Sequence, residues 1–97
     1  MQDTIQIEME MLEKQAEWLK ALAHTVRLCI ARGLVGVGSC NVNKMKDCLG
    51  LPQSTVSQHL QVLRYAGIVK GEKDGTVVNY MIADDRVKEL IKILDSK

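Results

Sequence analysis

The chain has 97 residues, enough for one domain and no more. Hydrophobic residues make up 46% and charged residues 26%, ordinary values for a soluble globular protein; aromatic residues make up only 3% with no Phe, so the core must be aliphatic and Met. No run approaches the roughly 18–20 apolar residues of a membrane span, and no signal-peptide pattern opens the chain, so a cytoplasmic protein without a membrane partner is expected. The formal net charge of +1 announces no nucleic-acid partner by itself. Its distribution is uneven, however. Residues 1–17 hold Asp3, Glu8, Glu10, Glu13 and Glu17 against Lys14, a net of −4. Residues 44–73 hold Lys44, Lys46, Arg64, Lys70 and Lys73 against Asp47 and Glu72, a net of +3. Attraction for phosphate is thereby concentrated in the middle of the chain.

From Thr4 to about Ala23, the apolar residues Ile5, Met9, Leu12, Ala16, Leu19 and Ala23 recur in steps of three and four, the stripe of an amphipathic helix. Trp18 and Leu22 widen it. A helix of about twenty residues at the terminus of so short a chain has little of its own domain to cover it, so it is expected to pack against a partner. A second helix is expected from about Thr25 to Val35, with Val26, Leu28, Ile30, Leu34 and Val35 as candidates for burial, and the glycines of the Gly33–Ser39 stretch end it. Asn41 or Asn43 can cap a short third helix over Lys44–Leu49, closed by Gly50. Leu51-Pro52 is a break, because the residue before proline is pushed out of the helical region. A fourth helix then spans roughly Gln53–Ala66 and stops at Gly67. Ile68–Glu72 and Val77–Ile82 read as two short strands, with Asp74-Gly75 as the hairpin signal between them. Asp84 or Asp85 caps a last helix whose Val87, Leu90, Ile91 and Leu94 fall on one face. There is no internal repeat, low-complexity segment or interdomain linker.

Helices joined by a short turn and followed by a two-stranded hairpin make a winged helix-turn-helix, mainly α with a small β wing, in the order ααααββα. The turn is Gly50-Leu51-Pro52, and the fourth helix takes the recognition position. On it, Val56, Leu60 and Leu63 form the buried side, while Ser54, Ser57, Gln58, Gln61 and Tyr65 form a polar stripe opposite. From Leu51 to Tyr65 there is no acid, and Arg64 carries the one full charge. A solvated helix face usually mixes Glu and Lys, as the first and last helices do. A helix entering the major groove must keep carboxylates away from phosphates and needs hydroxyls and amides that bond to base edges. A protein-interaction module that kept the fold without its DNA role is the competing class, and the acid-free stripe argues against it. An enzyme is the weakest: no paired carboxylates, base-activated nucleophile or phosphate-binding glycine loop stands at usable spacing.

Leu51-Pro-Gln-Ser-Thr-Val-Ser-Gln-His-Leu60 resembles the recognition-helix signature of the ArsR/SmtB family, in which a Ser-x-x-Ser-x-His-Leu pattern is usual. The resemblance extends upstream to Leu19-Lys-Ala-Leu-Ala-His24-x-x-Arg27-Leu28 and downstream through Leu63-Arg-x-Ala-Gly-Ile-Val69, the Asp-Gly wing and Tyr80, covering roughly residues 15–95. It implies a repressor of duplex DNA that acts as a homodimer on an inverted repeat, with one domain over residues 1–97. Residues 1–23 and 84–97 would be its dimerisation helices, 41–66 its helix-turn-helix and 68–82 its wing. Carried over residue by residue, Gln53, Ser54, Thr55, Ser57, Gln58 and His59, with Arg64 beside them, would read DNA, and Lys73 and Thr76 of the wing would touch backbone or minor groove. For His59, DNA contact and support of the fold weigh equally.

Many members of the family bind a metal. One site uses Cys-Val-Cys at the start of the third helix, where this chain has Asn41-Val42-Asn43, amides that bind soft metals poorly. The other uses Asp-x-His on the last helix, where this chain has Asp84-Asp85-Arg86 with no His beyond. No metal and no cofactor is expected, and the effector is not named by these residues. Cys29, Cys40 and Cys48, an odd count without a CxxC pair, are expected to be reduced. Packing is the favoured role, with Cys48 read as a core position between Met45 and Leu49. A three-thiol arsenite site and a persulfide- or peroxide-responsive thiol pair stay open. If both lie on or beside the third helix, Cys40 and Cys48 are roughly 12 Å apart along it, too distant to pair with each other inside one subunit.

Overall fold

A computed structural model of the chain describes residues 2–96; Met1 and Lys97, the ends of the expected domain, lie outside the described residues. The elements are α1 (Gln2–Leu22), α2 (Thr25–Val37), β1 (Ser39–Asn41), α3 (Val42–Leu49), α4 (Gln53–Tyr65), β2 (Val69–Asp74), β3 (Val77–Ile82) and α5 (Asp85–Asp95). The winged helix-turn-helix is present with one addition. β1 joins the hairpin to make a three-stranded antiparallel sheet in the order β1-β3-β2, with Cys40 opposite Tyr80.

α2 ends at a glycine of the expected Gly33–Ser39 stretch, two residues later than Val35, and the hairpin turn needs correcting. α2 runs through Gly33 and Gly36 to Val37 and stops only at Gly38, whose φ of 90° no other residue type adopts readily. A helical glycine costs about 1 kcal/mol relative to alanine, but Ile30, Ala31 and Leu34 bury the inner face of α2 and outweigh it. In the hairpin, Asp74 belongs to β2 and pairs with Val77, so the two turn residues are Gly75-Thr76. Of these only Gly75 takes a positive φ, 66°, which is the requirement at the first central position of a tight hairpin turn. Gly71 has a different reason to be glycine. Tyr80 faces it across the ladder, and a Cβ there would come 2.8 Å from Val78 Cγ1 and 3.2 Å from Tyr80 Cε1.

The core is built from Ala21 and Leu22 at the end of α1, Ile30, Ala31 and Leu34 of α2, Met45 of α3, Val56, Leu60 and Leu63 of α4, Ile68 and Val69, and Val87 and Ile91 of α5. The three α4 residues expected on the buried side are all there. α4 ends in a Schellman motif, with Ile68 N–H donating to Leu63 O (2.9 Å) and Gly67 N–H to Arg64 O (3.0 Å), which turns the chain straight into the wing.

α1 is different. Beyond Trp18, Ala21 and Leu22 its described side chains are exposed, including Ile5 (60%), Met9, Leu12 and Leu19 of the apolar stripe. On α5, Ile93 and Leu94 are likewise exposed. Among the described residues no helix is long and apolar enough to cross a membrane.

Asp84 ties α1 to α5. Its carboxylate accepts from Arg86 N–H (3.0 Å) as the N-cap of α5, from the Arg86 guanidinium (2.7 Å) and from Trp18 Nε1 (3.1 Å), while the guanidinium carbon of Arg86 lies 4.7 Å from the Trp18 ring centre. Hydrogen bonding by the Arg86 side chain, against the opposing effect of burial, holds the carboxyl below the usual aspartate value. A group depressed in this way stabilises the fold fully above its ordinary value of 3.8 and loses that contribution as the pH falls below it. Asp84→Ala is expected to cost about 1–2 kcal/mol through the lost cap. Thermal melts at fixed protein concentration check this: the gap between wild type and variant should be full at pH 7 and narrow below pH 4, and equal melting temperatures at pH 7 would refute it.

Candidate nucleic-acid interface

The three-residue turn after α3 sets the direction of α4. Gly50 adopts the left-handed conformation (φ 66°, ψ 30°) and donates to Lys46 O (2.9 Å), and Pro52 then enters extended. Pro52 is the N-cap of α4 and supplies no side-chain hydrogen bond. The N–H groups of Thr55 and Val56 bond to Pro52 O, whereas Gln53 and Ser54 open the helix with no side-chain cap above them. An uncapped helix start with positive dipole character suits an anionic oxygen.

Gln53, Ser54, Ser57, Gln58, Gln61 and Arg64 are exposed along one side of α4; Thr55 and His59 are half-buried at its edges. No side-chain hydrogen bond within the chain engages Gln53, Ser54, Ser57, Gln58 or Gln61 among the described residues, so their hydroxyls and amides are free to meet an outside surface. Lys73 and Thr76 are exposed at the tip of the wing. Gln53 and Thr76 line one open cleft together with Asn43, Lys44 and Tyr80, which joins the start of α4 to the wing. Arg64 stands at the other end of α4, about 16 Å along the axis from Gln53, and is not part of that cleft. Lys44, exposed in the first turn of α3, is brought to the same cleft, a position the sequence did not single out. Its signal lay in the basic middle segment, but its position in the first turn of α3 served only the argument about capping.

His59 does not stand free. Its Nδ1 is 3.3 Å from Arg27 Nη1, and its ring lies 4.6 Å from that of His24. Burial, followed by the like charges of His24 and Arg27, lowers its pKa below the ordinary 6.5.

The positions that match the family's metal ligands are occupied by structural groups. Asn41 caps α3 by accepting from Lys44 N–H (2.9 Å), and Asp84 caps α5. Among the described residues no three His, Cys, Asp or Glu side chains are grouped closely enough to hold a metal ion. Cys48 is exposed, not part of the core as expected, and Cys29 is exposed too. Packing accounts only for Cys40, which is half-buried against the core. The buried arc of α3 passes through Val42, Met45, Lys46 and Leu49, and at 3.6 residues per turn Cys48 falls on the far flank of Met45.

Residues 32–70 match the family described as bacterial regulatory protein, arsR family. An uncharacterized HTH-type transcriptional regulator of Methanocaldococcus jannaschii is 51% identical over 87 residues, which cover 90% of this chain and 98% of that one. The transcriptional repressor PagR of Bacillus anthracis is 40% identical, covering 92% of this chain and 89% of that one. The crystal structure of PagR superposes with a TM-score of 0.80 over 89% of this chain and 98% of that one. A homodimeric winged helix-turn-helix DNA-binding domain from Mycobacterium bovis, solved by NMR, has a TM-score of 0.82 at 31% identity, over 90% of this chain and 80% of that one.

Proposed function

Because the chain belongs to the ArsR family of bacterial regulatory proteins, we propose that it is a transcriptional repressor that binds an inverted-repeat operator as a homodimer, without the family's usual metal sites. The observation that carries this reading is the exposed, acid-free side of α4. Gln58 and Gln61 can donate to and accept from a base edge together, and Ser54 and Ser57 can reach bases or phosphates. Lys44, Lys73 and Thr76 flank that side and would hold the backbone, fixing register without reading sequence. Dimerisation is supported by the apolar stripe of α1, which is exposed among the described residues, together with exposed Ile93 and Leu94 of α5. The replacement of the expected ligands by Asn41, Asn43 and Arg86, and the use of Asn41 and Asp84 as helix caps, support metal-independent repression. The protein acts by binding DNA in the cytoplasm, not by catalysis.

The test is fluorescence anisotropy with duplexes selected from a random pool. Selected sites should be inverted repeats with half-sites about one helical turn, roughly 34–36 Å, apart. Affinity should fall by about three orders of magnitude between roughly 50 and 200 mM salt, through counterion release. A salt-insensitive interaction, or equal affinity for every duplex, would overturn the reading.

A further inference from the structure

Two stretches of sequence far apart in the chain, around His24–Arg27 and around His59, meet at the junction of α1, α2 and α4. Arg27 donates from Nε to Ala21 O (2.6 Å), which anchors its guanidinium on the end of α1. From there Nη1 reaches His59 Nδ1 on α4 at 3.3 Å. His24 caps α2 by accepting from Val26 N–H at Nδ1 (3.1 Å), and its ring is tilted 45° to that of His59 at 4.6 Å.

A guanidinium only donates hydrogen bonds and stays charged at any physiological pH. The contact therefore requires His59 Nδ1 to be the acceptor, which leaves the proton of the neutral ring on Nε2. Protonating Nδ1 would set N–H against N–H and place a second positive charge beside the first. His59 and Arg27 bond to no carboxylate among the described residues. From α1, Glu17 and Lys20, of opposite sign, line the cleft beside Arg27. From α3, Lys44 and Asp47 lie at the other end of α4 beside Gln53. From β2, Lys70 and Glu72 are paired with each other at 3.8 Å.

We propose that Arg27 is a positioning residue for the DNA-reading helix, holding α4 to the α1–α2 junction through neutral His59, and that protonating His59 releases this hold and weakens operator binding. The inference rests on the DNA-binding reading above. Because the folded protein favours the neutral ring, the hold is complete above pH 6.5 and fades as the pH falls through the lowered value. Added positive charge by itself strengthens attraction to phosphate, so a loss of affinity on acidification runs against the general electrostatic trend. The sign of the pH effect is therefore diagnostic.

The experiment titrates the full chain with a fluorescein-labelled duplex selected from a random pool at pH 7.5, at constant ionic strength, from pH 7.5 down to 5.5. Wild-type affinity is expected to fall progressively as the pH drops, following proton linkage at one group per protomer, while affinity for a random-sequence duplex holds or rises. His59→Gln keeps an acceptor for Arg27 and cannot titrate, so its profile should lose the fall; Arg27→Gln should lose it as well. A wild-type affinity that rises on acidification overturns the proposal, and so does a His59→Gln profile that falls as steeply as wild type. Imidazole nitrogen NMR of the free protein at pH 7.5 gives a second readout that needs neither DNA nor a variant. The Nε2–H tautomer is expected for His59, and the Nδ1–H tautomer or an imidazolium would overturn the assignment. If the pool yields no preferred duplex, the DNA-binding reading fails; a flat profile on a preferred duplex defeats only the hold through His59.

Discussion

Replacing Ser57 and Gln58 together by Glu is expected to abolish operator binding while leaving the fold intact. Both side chains are exposed on α4 and make no hydrogen bond within the chain among the described residues. A good base contact contributes about 1–3 kcal/mol of discrimination. Losing two of them, and bringing two carboxylates against phosphates, should lower affinity by about 100-fold or more. Stability should change by no more than about 0.5 kcal/mol, as is usual for exposed sites away from caps and packing. Anisotropy on the selected duplex and a thermal melt measure the two quantities. Unchanged affinity would remove α4 as the reading element and favour a winged fold kept for protein contacts, because a partner-binding role elsewhere on the surface would survive the substitution.

The second large effect concerns the apolar stripe of α1. Ile5 and Leu12 are 60% and 51% exposed and lie seven residues apart on one face. Burying an aliphatic side chain of this size contributes about 1.5–3 kcal/mol. A two-fold dimer counts each position twice. The double variant Ile5→Asp/Leu12→Asp should therefore weaken dimerisation by at least about 10⁴-fold. Sedimentation at micromolar concentration should give a monomer where the wild type gives a dimer. Operator affinity should fall with it, because the two half-sites are no longer engaged as one linked event. The fold of each chain should persist, since the residues that join α1 to the core are Trp18, Ala21 and Leu22 near its other end. A variant that stays dimeric at micromolar concentration would place the interface elsewhere.

Much of the architecture was legible because its signals are local. The three-and-four spacing of α1, the Gly50–Pro52 turn, the Gly67 stop and the wing each depend on a few neighbouring residues, and each appears within two or three residues of its expected place. β1 was not legible. Ser39, Cys40 and Asn41 carry no alternation and little strand preference; they become a strand because Gly38 turns the chain back alongside Ser39–Asn41's partners on β3. The end of α2 was misplaced because glycine's propensity cost is smaller than the burial gained by Ile30, Ala31 and Leu34. The three cysteines show the same limit. In a helix of eight residues a one-position lean of the buried arc decides whether Cys48 is inside or outside, and that lean is imposed by α4 and β1.

The polar stripe of α4 shows where the boundary falls. Its composition is a property of the sequence: no acid from Leu51 to Tyr65, hydroxyls and amides at helical spacing, and aliphatic residues at Val56, Leu60 and Leu63 that dictate which side faces out. The family follows from the same residues, because the spacing of a helix face is written in one short stretch of chain. The environment of each edge residue is not. His59 lies 32 positions from Arg27 and 35 from His24 along the chain, and only the packing of α4 on the α1–α2 junction brings the three together. Periodicity reports which side of a helix is buried; it carries no information about which distant charge waits at the edge, since that depends on how separate elements cross. Tertiary structure alone decided that His59 lies within hydrogen-bonding distance of an arginine.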